Sequence, residues 1–278
     1  MSLLSGARRT STADGAWRGD FGRALRAEWT KLRTAGDLGR LLLLAVALTV
    51  AVGCGTAKAV KCPDTGCGQD AVKLALTGVT VGQAVIAVFA VLAISGEYGT
   101  GMIRTTLTAV PNRLTVLTAK ATVLTTVVLA SGTAAVLASL LAGRYILPGN
   151  GFTEAHGYAQ LSLADGPTLR AAVGSVLYLV LIALLGLGVA TAVREAATAI
   201  GIVLGLLYLF PVVTQVVNDP EWQRHLQQIS PMTAGLAVQA TVHLHELPIG
   251  PWAGLGVLAV WAAAALLVGS LLLHRRDA

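Results

Sequence analysis

The chain has 278 residues, of which 55% are hydrophobic and only 12% charged. Soluble domains carry about 25% charged residues, so this composition excludes an ordinary water-soluble fold and points to a membrane protein. The net charge of +6 is not read as a nucleic-acid surface, because the basic residues gather at the edges of apolar runs rather than on one polar face.

Residues 1–16 are small and polar, with Arg8 and Arg9, and are predicted to be disordered. The first apolar run begins only near Leu41, with no small-residue cleavage site in the usual place, so no secretory signal is expected. Residues 17–36 hold a predicted amphipathic interfacial helix. Phe21, Leu25, Trp29 and Leu32 recur at i, i+4, i+8 and i+11, while Arg23, Arg26, Lys31 and Arg33 lie off that stripe. An aromatic stripe opposite cations suits a helix lying at the headgroup level. Glu28 falls inside the apolar stripe. The favoured reading is that it snorkels to water; the other is an ion pair with a cation on the loop after the second span or on a partner protein.

Six apolar runs follow within residues 37–278: 41–57, 74–95, 114–141, 169–193, 196–217 and 252–273. A membrane helix needs about 20 apolar residues, so five runs qualify directly. The first is marginal unless it reaches past Lys58, whose stem can snorkel outward. Lys120 predicts an interfacial start to the third run, since a lysine is costly in hydrocarbon. The predicted fold is therefore all-α, with six transmembrane helices. Between runs one and two, Cys62 and Cys67 flank Pro-Asp-Thr-Gly. They form a disulfide if the loop lies outside the cytoplasm, or remain two free thiols; the residues leave both open. Runs four and five are joined by Arg194-Glu195 alone. Pro211 is expected to kink run five. Asp219-Pro220-Glu221 and Ser230-Pro231 each read as a helix start, so two short helices are expected before run six. Fourteen of the twenty Lys and Arg fall on the side of the N-terminus, which predicts both termini inside.

The stretch 95–113, between runs two and three, is polar and glycine-rich at its start and then reads as a short amphipathic helix. Met102, Ile103, Leu107 and Val110 make its apolar face; Glu97, Arg104 and Arg113 supply charge; Pro111 closes it. Such a helix between two spans lies flat at the interface or presses on a partner.

No Asp or Glu occurs inside any of the six runs, which argues against an ion-driven carrier. No lysine is preceded by Gly and followed by Ser or Thr, so no phosphate-binding loop is expected, and Gly99-Thr100-Gly101 is too short to cradle a triphosphate. No catalytic residues are expected in this chain. His243, His245 and Glu246 do not share one helix face, and solvated histidines are expected there rather than a metal site. Gly78/Gly82 and Gly201/Gly205 are spaced for close helix contact, or by coincidence in a chain with 31 glycines.

Two stretches carry a family likeness. Glu97-Tyr98, Gly101, Ile103-Arg104-Thr105-Thr106-Leu107, Pro111, Arg113 and Lys120 resemble the first cytoplasmic loop of ABC-2-type transporter permeases. Met102 stands where many relatives have a small hydroxyl residue. Arg26-Ala27-Glu28-Trp29-Thr30-Lys31-Leu32-Arg33 resembles the N-terminal elbow helix of the bacterial members, and the span layout extends the likeness over most of the chain. The resemblance implies an export permease in the cytoplasmic membrane, paired with a second copy as a homodimer. It implies two copies of a separate ATP-binding subunit, which would carry the ATP and magnesium. It gives Glu97, Tyr98, Gly101, Met102, Ile103, Arg104, Leu107 and Arg113 the role of a coupling surface, helped by the helix around Trp29. It also implies that spans two and five line the substrate path, where Thr77, Thr80, Gln83, Tyr208, Thr214 and Gln215 are candidate contacts. For any one hydroxyl the competing reading is a bond to its own backbone. Outside this family, the alternative function is a non-transporting membrane scaffold or sensor.

Overall fold

The computed structural model describes residues 21–34, 36–62, 67–99 and 112–275. Among these the fold is all-helical. Helix α1 covers 21–34. Six helices are long and apolar enough to cross a membrane: α2 (Gly36–Ala59), the pair α3 (Ala71–Leu76) and α4 (Val79–Gly99) acting as one span, α5 (Arg113–Ile146), α6 (Gly166–Val193), α7 (Ala196–Val216) and, after two short helices, α10 (Pro251–Arg275). Only helices close every backbone hydrogen bond within one segment in lipid, so apolar runs of this length have no other economical form.

Most spans outreach their apolar runs. The second continues four residues beyond Ser95 to Gly99, and the third continues from Leu141 to Ile146. Capping explains where some begin. Asn112 accepts from Leu114 and Thr115 N–H to start α5, and Asp165 accepts from Thr168 to start α6. Glu195 accepts from Ala197 and Thr198 to start α7. These bonds, from Thr198 foremost and then Ala197, hold the Glu195 carboxyl below its usual range. Each satisfies N–H groups that a helix start leaves open. Helix α7 continues through Pro211 to Val216. The two expected short helices are present. Asp219 caps α8 (Pro220–Ile229) and Ser230 caps α9 (Pro231–Leu236).

Helix α6 is the axis of the bundle. It packs on α4, α5, α7 and α10, and 67% of its apolar window is buried, against 17% for α2 and α7 and 22% for α10. Tyr178 on α6 is wholly enclosed. The outer helices turn Leu43, Leu209, Val216, Val260 and Leu267 outward, as a lipid-facing surface requires.

The two glycine pairs part company. A Cβ on Gly78 would lie 1.8 Å from the Thr49 carbonyl oxygen, and one on Gly82 would lie 2.0 Å from Thr49 Oγ1. The α2–α4 contact therefore depends on both. A Cβ on Gly201 or Gly205 would meet nothing within 4 Å.

Cys62 and Cys67 are bonded, which decides between the two readings of that loop. The bonded loop docks on its neighbours: Cys62 N–H donates to the Asn150 carbonyl, 2.8 Å, and Asn150 Nδ2 donates to Ala57 O, 2.8 Å. At the same end, Asp70 caps α3 through Lys73 N–H and accepts from the Thr241 hydroxyl, 2.8 Å, tying α3 to the chain before α10.

Candidate functional site

The charged side chains that the apolar pattern isolates meet at one place, the end of the bundle opposite the disulfide loop. On α1, residues 21, 24, 28 and 31 fall on one side of the helix at 100° per residue. This is the side that turns inward. Ala24 and Phe21 pack against Val116 and Ala119 of α5, and Glu28 is only 4% exposed. The inward face is thus rotated from the predicted stripe. Leu32 packs on the core and Leu25 is half-buried, but Trp29 is 43% exposed, with the Arg33 guanidinium 5.9 Å from its ring. Trp29 belongs to the outer surface, where an amphipathic ring suits a headgroup layer.

Glu28 does not snorkel to water; that expectation is overturned. Its carboxylate accepts from Lys31 Nζ at 2.9 Å and from Lys120 Nζ on α5. Glu97, in the last turn of α4, completes the group: Glu97 Oε1 accepts from Lys31 at 2.9 Å and from Lys120 at 2.8 Å. Lys120 spends its third N–H on the Ala93 carbonyl, 3.4 Å. Glu28, Glu97 and Lys120 are each at least nine-tenths buried. Two carboxylates and two ammonium groups neutralise one another, which is how lysine is tolerated two turns inside an apolar helix. Burial works against charge on Lys31, but the hydrogen bonds and charges of Glu28 and Glu97 outweigh it and raise its pKa above the ordinary 10.5. A raised lysine pKa contributes stability that is fully present below the unfolded value and is lost as pH rises through the folded one. The Lys31 link is therefore intact at neutral pH and opens only in strong alkali.

Beside this group lies a cavity of about 610 Å³, between α1, the start of α2, and the facing ends of α4 and α5. Glu28, Lys31, Glu97 and Lys120 form its polar end.

Of the predicted coupling surface, Glu97, Tyr98 and Arg113 are described, and none lies in a loop. Glu97 and Tyr98 continue α4, because the apolar packing of that helix persists through Ile94 and the ion group then replaces it. Arg113 opens α5 and donates to the Leu273 carbonyl near the end of α10. Tyr98 lies beneath Arg194, whose guanidinium is 5.5 Å from the ring, so the short link between spans four and five packs on the end of α4. Gly101, Met102, Ile103, Arg104 and Leu107 lie outside the described residues.

The predicted substrate-path residues separate. Gln83 is fully buried and bridges two tyrosines: Tyr178 donates to Gln83 Oε1, and Gln83 Nε2 donates to Tyr208 Oη at 3.3 Å. Tyr208 in turn donates to the Thr80 carbonyl, 2.7 Å. This chain ties α4, α6 and α7 together. Thr77 and Thr214 bond backbone carbonyls of their own helices, Lys73 O at 3.0 Å and Pro211 O at 2.8 Å. Gln215 is exposed. Replacing Gln83 by Leu leaves the Tyr178 hydroxyl buried without an acceptor, a cost of about 1–3 kcal/mol. The check is a lowered unfolding midpoint in detergent for Gln83→Leu and not for Thr77→Val.

Lys31, Lys120 and Arg194 are the site residues that sequence reasoning did not select. Two of them carried a signal: Lys120 as the lone charge in the third apolar run, and Lys31 one helical turn from a misplaced Glu28. At the other end, His243 Nδ1 lies 3.6 Å from Glu246 Oε1, both exposed.

Fold and site together define a multi-pass, all-α membrane protein with a buried ion group joining a peripheral helix to two spans. Comparison with known proteins finds neither a matching family model nor a matching curated relative.

Proposed function

We propose that this chain is the permease subunit of an ATP-driven exporter of the ABC-2 type. One observation carries the reading furthest. The ion group fastens α1 to the two spans that flank 100–111, so a push on either would move both as one body. In this reading the stretch 95–113 supplies the coupling surface, and Met102, Ile103, Arg104 and Leu107 meet a separate ATP-binding subunit. Two such subunits serve two copies of this chain, and ATP and magnesium reside on them. Both termini and the ion group lie in the cytoplasm. The Cys62–Cys67 bond suits the opposite, oxidising side. The chain itself moves the compound and hydrolyses nothing.

Affinity purification of the full chain from its native membrane tests this. An ATP-binding subunit co-purifies, and Arg104→Glu lowers transport-stimulated ATP hydrolysis about tenfold, a coupling loss of ordinary size, with membrane insertion unchanged. Purification free of any nucleotide-hydrolysing subunit, or unchanged coupling in Arg104→Glu, overturns the reading.

A further inference from the structure

We infer that the cavity beside the ion group is a binding site for an amphiphile carrying a protonated primary amine. The argument begins with hydrogen-bond capacity. Lys120 has three N–H groups, and all three are used, on Glu28, Glu97 and Ala93. Glu97 Oε1 accepts from both lysines, whereas Glu97 Oε2 is buried and, among the described residues, accepts from nothing. The residue is 5% exposed and lines the cavity. An ionised carboxylate oxygen can only accept, so the group that completes this site is a donor. Leaving a buried carboxylate oxygen empty is costly, and a charged donor offsets that cost best.

The rest of the cavity selects the body of the ligand. Leu38, Leu92, Val123 and Leu124 make its wall. A volume of about 610 Å³ is in the range of small-molecule sites and far above the roughly 30 Å³ of one water. A water on Oε2 would leave the apolar wall bare. A divalent cation needs six or more oxygen ligands, whereas the buried end offers one open oxygen, and Asp37 on the lining is exposed and paired with Arg40. A primary ammonium on a hydrocarbon chain meets both requirements: one N–H to Glu97 Oε2, and the chain along the leucines. Such a group comes from an ethanolamine phospholipid or from a free amphiphilic amine. The site stands on the geometry of this chain alone and needs no ATPase, so its test is separable from that of transport.

The test uses the purified full chain in phosphatidylcholine nanodiscs, whose quaternary headgroup has no N–H. Radiolabelled dodecylammonium is titrated, with the Gly96→Leu chain as reference. Gly96 lines the cavity, and a Cβ there meets nothing within 4 Å, so leucine fills the space without disturbing the ion group. The expected result is saturable binding near one per chain, weakened about tenfold in Gly96→Leu, because the leucine occupies space that the hydrocarbon chain needs. Dodecyltrimethylammonium, with the same charge and no N–H, does not compete. Competition by added phosphatidylethanolamine assigns the site to a lipid headgroup; its failure to compete, with dodecylammonium still bound, assigns it to a free amine. Equal binding by the parent and Gly96→Leu chains, or equal competition by the trimethyl compound, overturns the inference.

Discussion

Replacing Lys120 by methionine destabilises the chain by about 3–5 kcal/mol, the usual cost of removing one partner from a buried ion pair. The reason is geometric. Lys120 serves Glu28 and Glu97 at once, and both carboxylates are buried. Methionine fills the volume of the lysine stem but leaves two negative charges sharing Lys31, whose side chain is 32% exposed. Lys31 cannot offset both, because exposure to solvent weakens its attraction. Neutralising the acids in the same chain, as Glu28→Gln/Glu97→Gln/Lys120→Met, removes the uncompensated charge and restores much of the loss, since apolar or neutral replacements of whole buried ion groups are often tolerated. Reversible unfolding in mixed micelles measures both. A Lys120→Met chain as stable as the parent means that the carboxylates are hydrated, and the ion group then fastens nothing. Restoration in the triple variant, with transport lost, separates the mechanical role of the group from its role in folding.

The spans were legible because lipid leaves the backbone one economical choice, and a run of about 20 apolar residues announces it. What the runs do not disclose is which helix sits in the middle. The run of α6 is the most apolar of the six, but by a small margin, and in lipid the inward and outward faces have the same polarity, so the periodicity that marks a core face in water is weak here. The centrality of α6 rests on shape: Tyr178 enclosed, with its hydroxyl held by Gln83. For α1 the pattern was present but pointed wrongly. Trp29 and Leu25 are more hydrophobic than Ala24 and Glu28, so a stripe drawn by hydrophobicity swings toward the lipid. The inward face instead carries the small Ala24 and a carboxylate whose buried partner, Lys120, lies far along the chain. Long-range charge pairing leaves no mark in local spacing. A better local signal was the isolation of each charge: Glu28 in an apolar stripe and Lys120 in an apolar run are each expensive alone, and the economical resolution is that they meet.

Introducing a side chain at Gly78 separates two helices, while the same change at Gly201 leaves the bundle whole, although both glycines begin an identical four-residue spacing. A Cβ on Gly78 would sit 1.8 Å from the Thr49 carbonyl oxygen and 2.7 Å from its carbon. Those are backbone atoms of α2 and cannot rotate away, so α2 must move bodily off α4. Small-to-large changes in packed sites cost about 1–3 kcal/mol when side chains can adjust; with backbone in the way, Gly78→Val lies at or above the upper end. Between membrane helices the loss is not cushioned by a hydrophobic driving force, because lipid competes on equal terms for each apolar face. The shift also carries Gly82 and Thr49 apart, and with them the bond from Thr49 Oγ1 to the Ala45 carbonyl loses its close cover. At Gly201 the added methyls of valine meet no atom within 4 Å of the Cβ. The expected outcome is a lowered unfolding midpoint and reduced yield for Gly78→Val, and a monomer stability unchanged for Gly201→Val. If Gly201→Val instead dissociates a native oligomer while the isolated chain keeps its stability, the outward glycine pair of α7 serves a contact between chains; equal loss of chain stability in the two variants refutes the close α2–α4 approach as the special feature of Gly78.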